Sequence, residues 1–156
     1  MVCFSIPGRG KVTIEHVILD FNGTIAVDGI LIPGIVERIE ELHSLVTVHV
    51  ITADTNGTAR AQLENVPCTL EIIGEERQDR AKLEYAERFG LEKVLAIGNG
   101  RNDFLLLKNA AVGICVIQGE GAAVKTMQVA EMVCATVNDA LGLLLRPQRV
   151  TATLRN

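Results

Sequence analysis

Four polar residues stand where short apolar runs end or a helical pattern begins, and their types suit phosphoryl chemistry. Asp20 follows Val17-Ile18-Leu19, and Thr52 follows Val48-His49-Val50-Ile51. Lys82 lies early in a helical-period segment over 79–89. Asp103 closes Gly98-Asn99-Gly100-Arg101-Asn102-Asp103, which follows Val94-Leu95-Ala96-Ile97. A carboxylate at a rigid strand end can attack phosphorus and form an acyl phosphate, dividing one hard transfer into two easier ones. Gly23 allows a tight turn, so that backbone N–H groups after Asp20 can face a phosphate. Thr52 offers a hydroxyl to a phosphoryl oxygen. Lys82 can neutralise charge on the transferring group and the nucleophile. Asp103 offers a hard oxygen to Mg2+, a cation that needs few protein carboxylates. Arg80 and Lys93 are nearby cations and alternatives to Lys82.

These positions require a parallel sheet. Short β-branched runs alternate with helical segments of ten or so residues, the pattern of β-α units, and functional groups in such sheets gather beyond the carboxyl ends of the strands. Residues 2–6 and 11–19 flank the turn signal Pro7-Gly8-Arg9-Gly10 and are read as a hairpin. A second hairpin is expected over 25–32, around Asp28-Gly29. Helices are expected from Pro33-Gly34 to about Ser44, from about Thr55 to Glu64, over 79–89 closed by Gly90, over 102–109, near 121–129 and over 137–145. Strands are expected over 46–51, 68–73, 94–97, 112–117 and 131–135. Pro147 is read as the end of the last helix, leaving 146–156 as a polar tail bearing Arg146, Arg149 and Arg155 within one domain spanning 1–156.

The ordered set DFNGT (20–24), ITADT (51–55), Lys82 and GNGRND (98–103) resembles the four motifs of the haloacid-dehalogenase (HAD) superfamily across essentially the whole chain. Within it, DFNGT, ITADTNGTAR and GNGRNDFLLLKNAAVGICV look most similar to soluble P-type-ATPase-like proteins. The resemblance implies a Rossmannoid α/β three-layer sandwich with a mainly parallel central sheet, and a Mg2+-dependent phosphohydrolase or phosphotransferase. It implies that Asp20 is the nucleophile and a Mg2+ ligand, with the Asn22 carbonyl, Asn99 and Asp103 completing the metal site. Gly23, Thr24, Thr52, Ala53 and Lys82 would hold the phosphoryl group, and the partner would be a phosphorylated small molecule or protein.

The chain departs from the family pattern at two positions. Asn22 stands where the phosphatases usually carry an Asp that acts as general acid and base. An amide cannot exchange a proton usefully near neutral pH, and general acid–base catalysis is typically worth about 10²–10⁴-fold. Slow breakdown of phospho-Asp20 is therefore expected. Asn99 stands where the acidic loop often has Asp, so weaker Mg2+ binding is expected. A second reading follows from the same substitutions: a phosphate- or metal-binding regulatory module without turnover.

Composition agrees with a globular α/β chain. The 156 residues are 48% hydrophobic and 22% charged, with 3% aromatics and no Trp, so the core is aliphatic. The net charge of −4, without a basic block, argues against nucleic acid. No apolar run approaches about 18 residues and no signal-peptide pattern opens the chain, so neither a membrane span nor export is expected, and the cytoplasm is the expected compartment. Cys3, Cys68, Cys115 and Cys134 form no C-x-x-C pair and are read as small buried hydrophobes. His16, His43 and His49 are expected to be packing or surface residues, and Lys125 a surface charge. Only 27 residues lie between Thr24 and Thr52, too few for a cap domain. An open site is expected, with closure by homo-oligomerisation through the 25–32 hairpin and the Arg-bearing tail as one possibility.

Overall fold

Val17, Ile18 and Leu19 are consecutive and all fully buried, which places their strand inside a sheet covered on both faces. The computed structural model describes residues 1–54 and 57–156. The chain opens with β1 (Val2–Ile6) and β2 (Gly10–Ile14), enters the sheet as β3 (His16–Asp20), and forms a small hairpin of β4 (Ala26–Val27) and β5 (Ile30–Leu31). Then follow α1 (Ile35–Leu42), β6 (Thr47–Thr52), α2 (Ala59–Leu63), β7 (Thr69–Ile72) and α3 (Gln78–Glu87). The second half carries β8 (Val94–Gly98), α4 (Phe104–Asn109), β9 (Val112–Val116), α5 (Val124–Val129), β10 (Met132–Cys134), α6 (Val137–Leu145) and α7 (Pro147–Leu154).

The main sheet has six strands in the order β10-β9-β8-β3-β6-β7. Every pairing in it is parallel. Odd-numbered β3 residues Val17 and Leu19 pack with α1, α6 and the β1–β2 hairpin. Ile18 packs on the other face with α3 and α4. Asp20 shares the parity of Ile18 and so leans toward the α3–α4 side. After β7 the chain crosses to the far side of β3 through α3 and enters β8. The strand order reverses there, and ligands gather at such switch points. The register sets Asp20 beside Ile51 and Leu19 beside Ile97, which brings Asp20, Thr52 and the loop after Gly98 to one rim.

Three expectations are corrected. The first hairpin does not run to Leu19. Its second arm ends at Ile14, because Glu15 donates its N–H to the Lys93 carbonyl and accepts from the Thr47 N–H, which moves the chain into the main sheet. The 146–156 tail is not a polar remnant. Pro147 sits at the first position of α7, where a missing N–H is harmless, and Val150 is fully buried against the main core. Cys3 is exposed, and Cys68 and Cys134 are only partly buried; Cys115 alone fits the buried reading. Thr55, the expected start of the second helix, lies outside the described residues, and the helix is seen from Ala59.

The Asp28-Gly29 hairpin forms as expected, with both residues at positive φ. Only β4, β5 and α1 lie between Thr24 and β6, so no cap domain interrupts this stretch. Among the described residues no helix is long and apolar enough to cross a membrane.

Candidate active site

The carboxyl ends of β3 and β8 and the inner face of α3 meet around one buried ammonium group. Lys82 Nζ lies 2.5 Å from Asp20 Oδ1 and 2.6 Å from Asp103 Oδ1. All three side chains are nearly inaccessible, Lys82 at 1% and Asp103 at 0% relative exposure. The sequence brings them together simply. Lys82 is on the same face of α3 as Tyr85 and Ala86, which bury against the sheet and hold the helix in place. Asp103 ends a short 3-10 turn over Arg101–Asp103 that folds back onto the β8 loop.

Each carboxylate has a second set of donors. Thr24 donates its hydroxyl to Asp20 Oδ2 at 3.2 Å and lies 3.4 Å from Asn99 Oδ1. Asp103 Oδ2 accepts from the backbone N–H groups of Asn99 at 3.0 Å and Gly100 at 2.9 Å. Gly98 makes this loop possible, since a methyl group there would collide with the Asp103 carboxylate. Gly23 has φ +79 and faces the Asn99 side chain, so both its conformation and the space around it demand glycine.

Two carboxylates share one ammonium, which leaves one uncompensated negative charge in a buried cluster. Burial foremost, then the Asp103 carboxylate, pushes the Asp20 carboxyl up to about 7, against the opposing pull of Lys82 and Thr24. Burial would lower the Lys82 ammonium, but the Asp103 and Asp20 carboxylates outweigh it and hold its pKa above the ordinary lysine value. A divalent cation would supply the missing positive charge. The described residues gather no group of three or more His, Cys, Asp or Glu, so the donor set is two carboxylates with amide and carbonyl oxygens. That set fits Mg2+, which takes few carboxylates and retains water, and does not fit a zinc site.

Asp20, Thr24, Lys82, Asn99 and Asp103 are thus joined in one hydrogen-bonded cluster. Lys82 occupies the position for which Arg80 and Lys93 were alternatives; Lys93 instead pairs with Glu15 at 3.3 Å. Thr52 is buried at the end of β6 and accepts the Asp54 N–H at 2.9 Å, which leaves its own hydroxyl proton for another acceptor. Ala53 follows it, half-buried. The Gly23 N–H donates to the Ala26 carbonyl at 2.7 Å and the Thr24 N–H to the Phe21 carbonyl at 3.3 Å, so both amides close the turn itself. Asn22 lies in that turn, bridged to Ala26.

Sequence reading missed two supports. Gln118 donates to the Thr24 carbonyl at 2.6 Å and the Gly23 carbonyl at 3.1 Å, while its own amide oxygen accepts the Val137 N–H at 2.8 Å. Thr126, fully buried, donates to the Gly100 carbonyl at 2.8 Å and braces the 98–103 loop. Neither residue belongs to a spaced pattern. The three histidines serve packing or surface roles: His16 stacks on Phe89, His49 packs against the same ring at a tilt, and His43 is bonded to the Glu40 carbonyl at the end of α1.

No family model matches the chain. An uncharacterized protein of Methanocaldococcus jannaschii is 51% identical over 80 residues, covering 49% of this chain and 86% of that protein. Among solved structures, the 3-deoxy-D-manno-octulosonate 8-phosphate phosphatase of Moraxella catarrhalis, with magnesium, phosphate and KDO, matches with a TM-score of 0.71 at 16% identity, over 89% of this chain and 90% of that one. The cobalt-bound deoxy-D-mannose-octulosonate 8-phosphate phosphatase of Haemophilus influenzae matches with a TM-score of 0.72 at 14% identity, over 90% of this chain and 92% of that one. A protein assigned to the HAD hydrolases, from Streptomyces avermitilis, matches with a TM-score of 0.70 at 21% identity, over 87% of each chain. At such identities the likeness is one of fold: the HAD-like Rossmannoid sandwich. These three are phosphatases or hydrolases, and none is a P-type-ATPase domain.

Proposed function

The chain belongs to one family with the uncharacterized Methanocaldococcus jannaschii protein, and from that premise and its own site we propose that it is a Mg2+-dependent phosphohydrolase acting through an aspartyl phosphate on Asp20. The observation that carries this reading is the buried Asp20 carboxylate at the end of β3, held by Lys82 at 2.5 Å and Thr24 at 3.2 Å with Asp103 on the same ammonium. No ordinary strand cap needs a buried lysine and a second buried acid. The fold shared with phosphatases supports the same reading.

In the first step an Asp20 oxygen forms a bond to phosphorus while the ester P–O bond breaks. The leaving alkoxide takes its proton from water, because the Asn22 amide has none to give. Lys82 and Thr52 hold the phosphoryl oxygens. In the second step water attacks phosphorus, the acyl phosphate bond breaks, and the water proton passes to solvent. Asp20, Asp103, the Asn22 carbonyl and Asn99 would hold Mg2+, which when bound neutralises charge on the phosphoryl group and on the carboxylate pair. Asn22, in place of an acid, makes breakdown of the intermediate slow. The substrate is a phosphorylated small molecule or protein, met in the cytoplasm.

A regulatory binding module is the second reading. It is favoured by Asn99, whose side-chain amide also donates to the Gly121 carbonyl at 2.9 Å and so serves the loop as well as any ligand. The two readings part in one experiment: Mg2+-dependent hydrolysis of p-nitrophenyl phosphate and acetyl phosphate by wild type and Asp20→Asn. Phosphohydrolysis predicts slow wild-type turnover, a phosphoryl group on the Asp20 peptide after acid quench, and background rates for Asp20→Asn. Background rates for both proteins with both donors, and no labelled peptide, would leave the binding module as the reading.

A further inference from the structure

A cleft of about 770 Å³ opens beside the site, between the first turn of α3, the 101–104 turn and α5. Asp20, Thr52 and Lys82 do not line it. It lies next to them nonetheless. Gln78, on its wall, precedes Lys82 by four residues on α3, one helical turn of about 5.4 Å. Asn102, on the opposite wall, immediately precedes Asp103. Asn102 donates to Gln78 Oε1 at 2.8 Å, tying the two walls together. The third wall is tied by Thr126 through its bond to the Gly100 carbonyl.

Three cations face this cleft: Arg77, Arg101 and Lys125. Glu75 and Asp79 also line it, which leaves one surplus positive charge. Arg9, Arg38 and Lys93 form ion pairs elsewhere on the surface, but among the described residues Arg77, Arg101 and Lys125 form none. Arg77 is held at φ 52, ψ 41, a left-handed conformation that strains a residue with a side chain. Glycine would sit there without strain, yet the chain places an arginine in the lining of the cleft. The partial positive charge of the α3 amino terminus points the same way.

We propose that this cleft is a second anion subsite, which binds a carboxylate or phosphate carried about one helical turn from the scissile phosphate. The proposal rests on the phosphohydrolase reading and gives it a substrate class: small phosphate esters with a second anionic group. The phosphoryl group lies at Asp20 and the second anion between Arg77, Arg101 and Lys125. The volume of the cleft accommodates the body of such an ester.

Calorimetric titration in Mg2+ tests this with glycerol 3-phosphate, 3-phosphoglycerate and 1,3-propanediol bisphosphate. The wild type is expected to bind at least one of the last two about tenfold more tightly than glycerol 3-phosphate, the size of effect that one charge-assisted contact gives. That preference should fall toward one in Arg101→Gln and in Arg77→Gly. Whichever ligand is preferred says whether a carboxylate or a phosphate is read. Equal binding of the three ligands by the wild type, or a preference that survives in both variants, overturns the subsite while the phosphohydrolase reading stands. No binding of any ester, together with no hydrolysis, removes the phosphohydrolase reading and the subsite with it.

Discussion

Gln118 donates its side-chain amide to the Thr24 carbonyl at 2.6 Å, a contact across 94 positions of sequence. The same side chain accepts from Val137 at the start of α6. One glutamine therefore locks the turn after Asp20 to the start of α6. Replacing it by Ala strands two carbonyls and one N–H in a half-buried setting. Gln118→Ala is expected to lose about 1–3 kcal/mol of stability, read as a lower urea midpoint with unchanged slope. A midpoint within error of wild type would mean that water replaces the clamp.

In the proposed mechanism, Asn22 sets the rate at which phospho-Asp20 is lost. Asn22→Asp supplies a carboxylate two residues after the nucleophile, and breakdown of phospho-Asp20 is expected to accelerate by about 10²-fold or more. Single-turnover decay of the labelled protein measures it. An unchanged decay would show that residue 22 does not reach the attacking water.

Lys82 is the counter-ion for two buried acids. Lys82→Met leaves both carboxylates uncompensated and is expected to cost about 3–5 kcal/mol. Adding Asp103→Asn should recover part of this loss. Mg2+ should raise the urea midpoint of Lys82→Met more than that of wild type, because the vacated cluster carries more negative charge. An equal shift in both proteins would argue that the metal binds elsewhere.

His49 should make stability depend on pH. Its ring is buried against Phe89 and Tyr85, bonded to His16 at 3.1 Å and to the Tyr85 hydroxyl at 3.0 Å. Burial foremost, with His16 adding, lowers its pKa from 6.5 to about 4. The unfolded chain therefore takes up a proton that the folded chain refuses. The contribution of neutral His49 is complete above about 6.5 and is lost as pH falls toward about 4, by up to about 3 kcal/mol. Asp20, with its raised pKa, acts in the opposite sense over an overlapping range. The comparison is therefore between wild type and His49→Gln, whose stability curve should be flatter between those limits. Parallel curves would remove His49 as the cause.

Much of this arrangement was legible because the sheet is buried on both faces. Runs such as Val17-Ile18-Leu19 and Val94-Leu95-Ala96-Ile97 end abruptly in polar residues, and the strand ends mark the site. Lys82 was legible through its spacing on α3 and its place in the motif order. The break at Glu15 was not, because an antiparallel hairpin arm and a following parallel strand join without a turn residue. Pro147 misled because proline both ends helices and begins them, and only the burial of Val150 distinguishes the cases. Gln118 and Thr126 left no signal, since a lone hydrogen-bonding side chain in a loop has neither period nor spacing. The cleft was equally hidden: its cations sit in three separate segments, and Lys125 alone reads as surface charge.

The position of β3 at the centre of the sheet governs the order of assembly during synthesis. β3 needs β6 on one side and β8 on the other. Lys82 follows Asp20 by 62 residues, and Asp103 follows Lys82 by another 21. A chain growing from its amino end therefore exposes β3 with one flank open until β8 leaves the ribosome. During that interval Asp20 is hydrated and ionised at little cost, and it need not enter the interior before its ammonium partner exists. Such long-range closure is slow relative to local helix formation. The half-made sheet is consequently the species most in need of a chaperone.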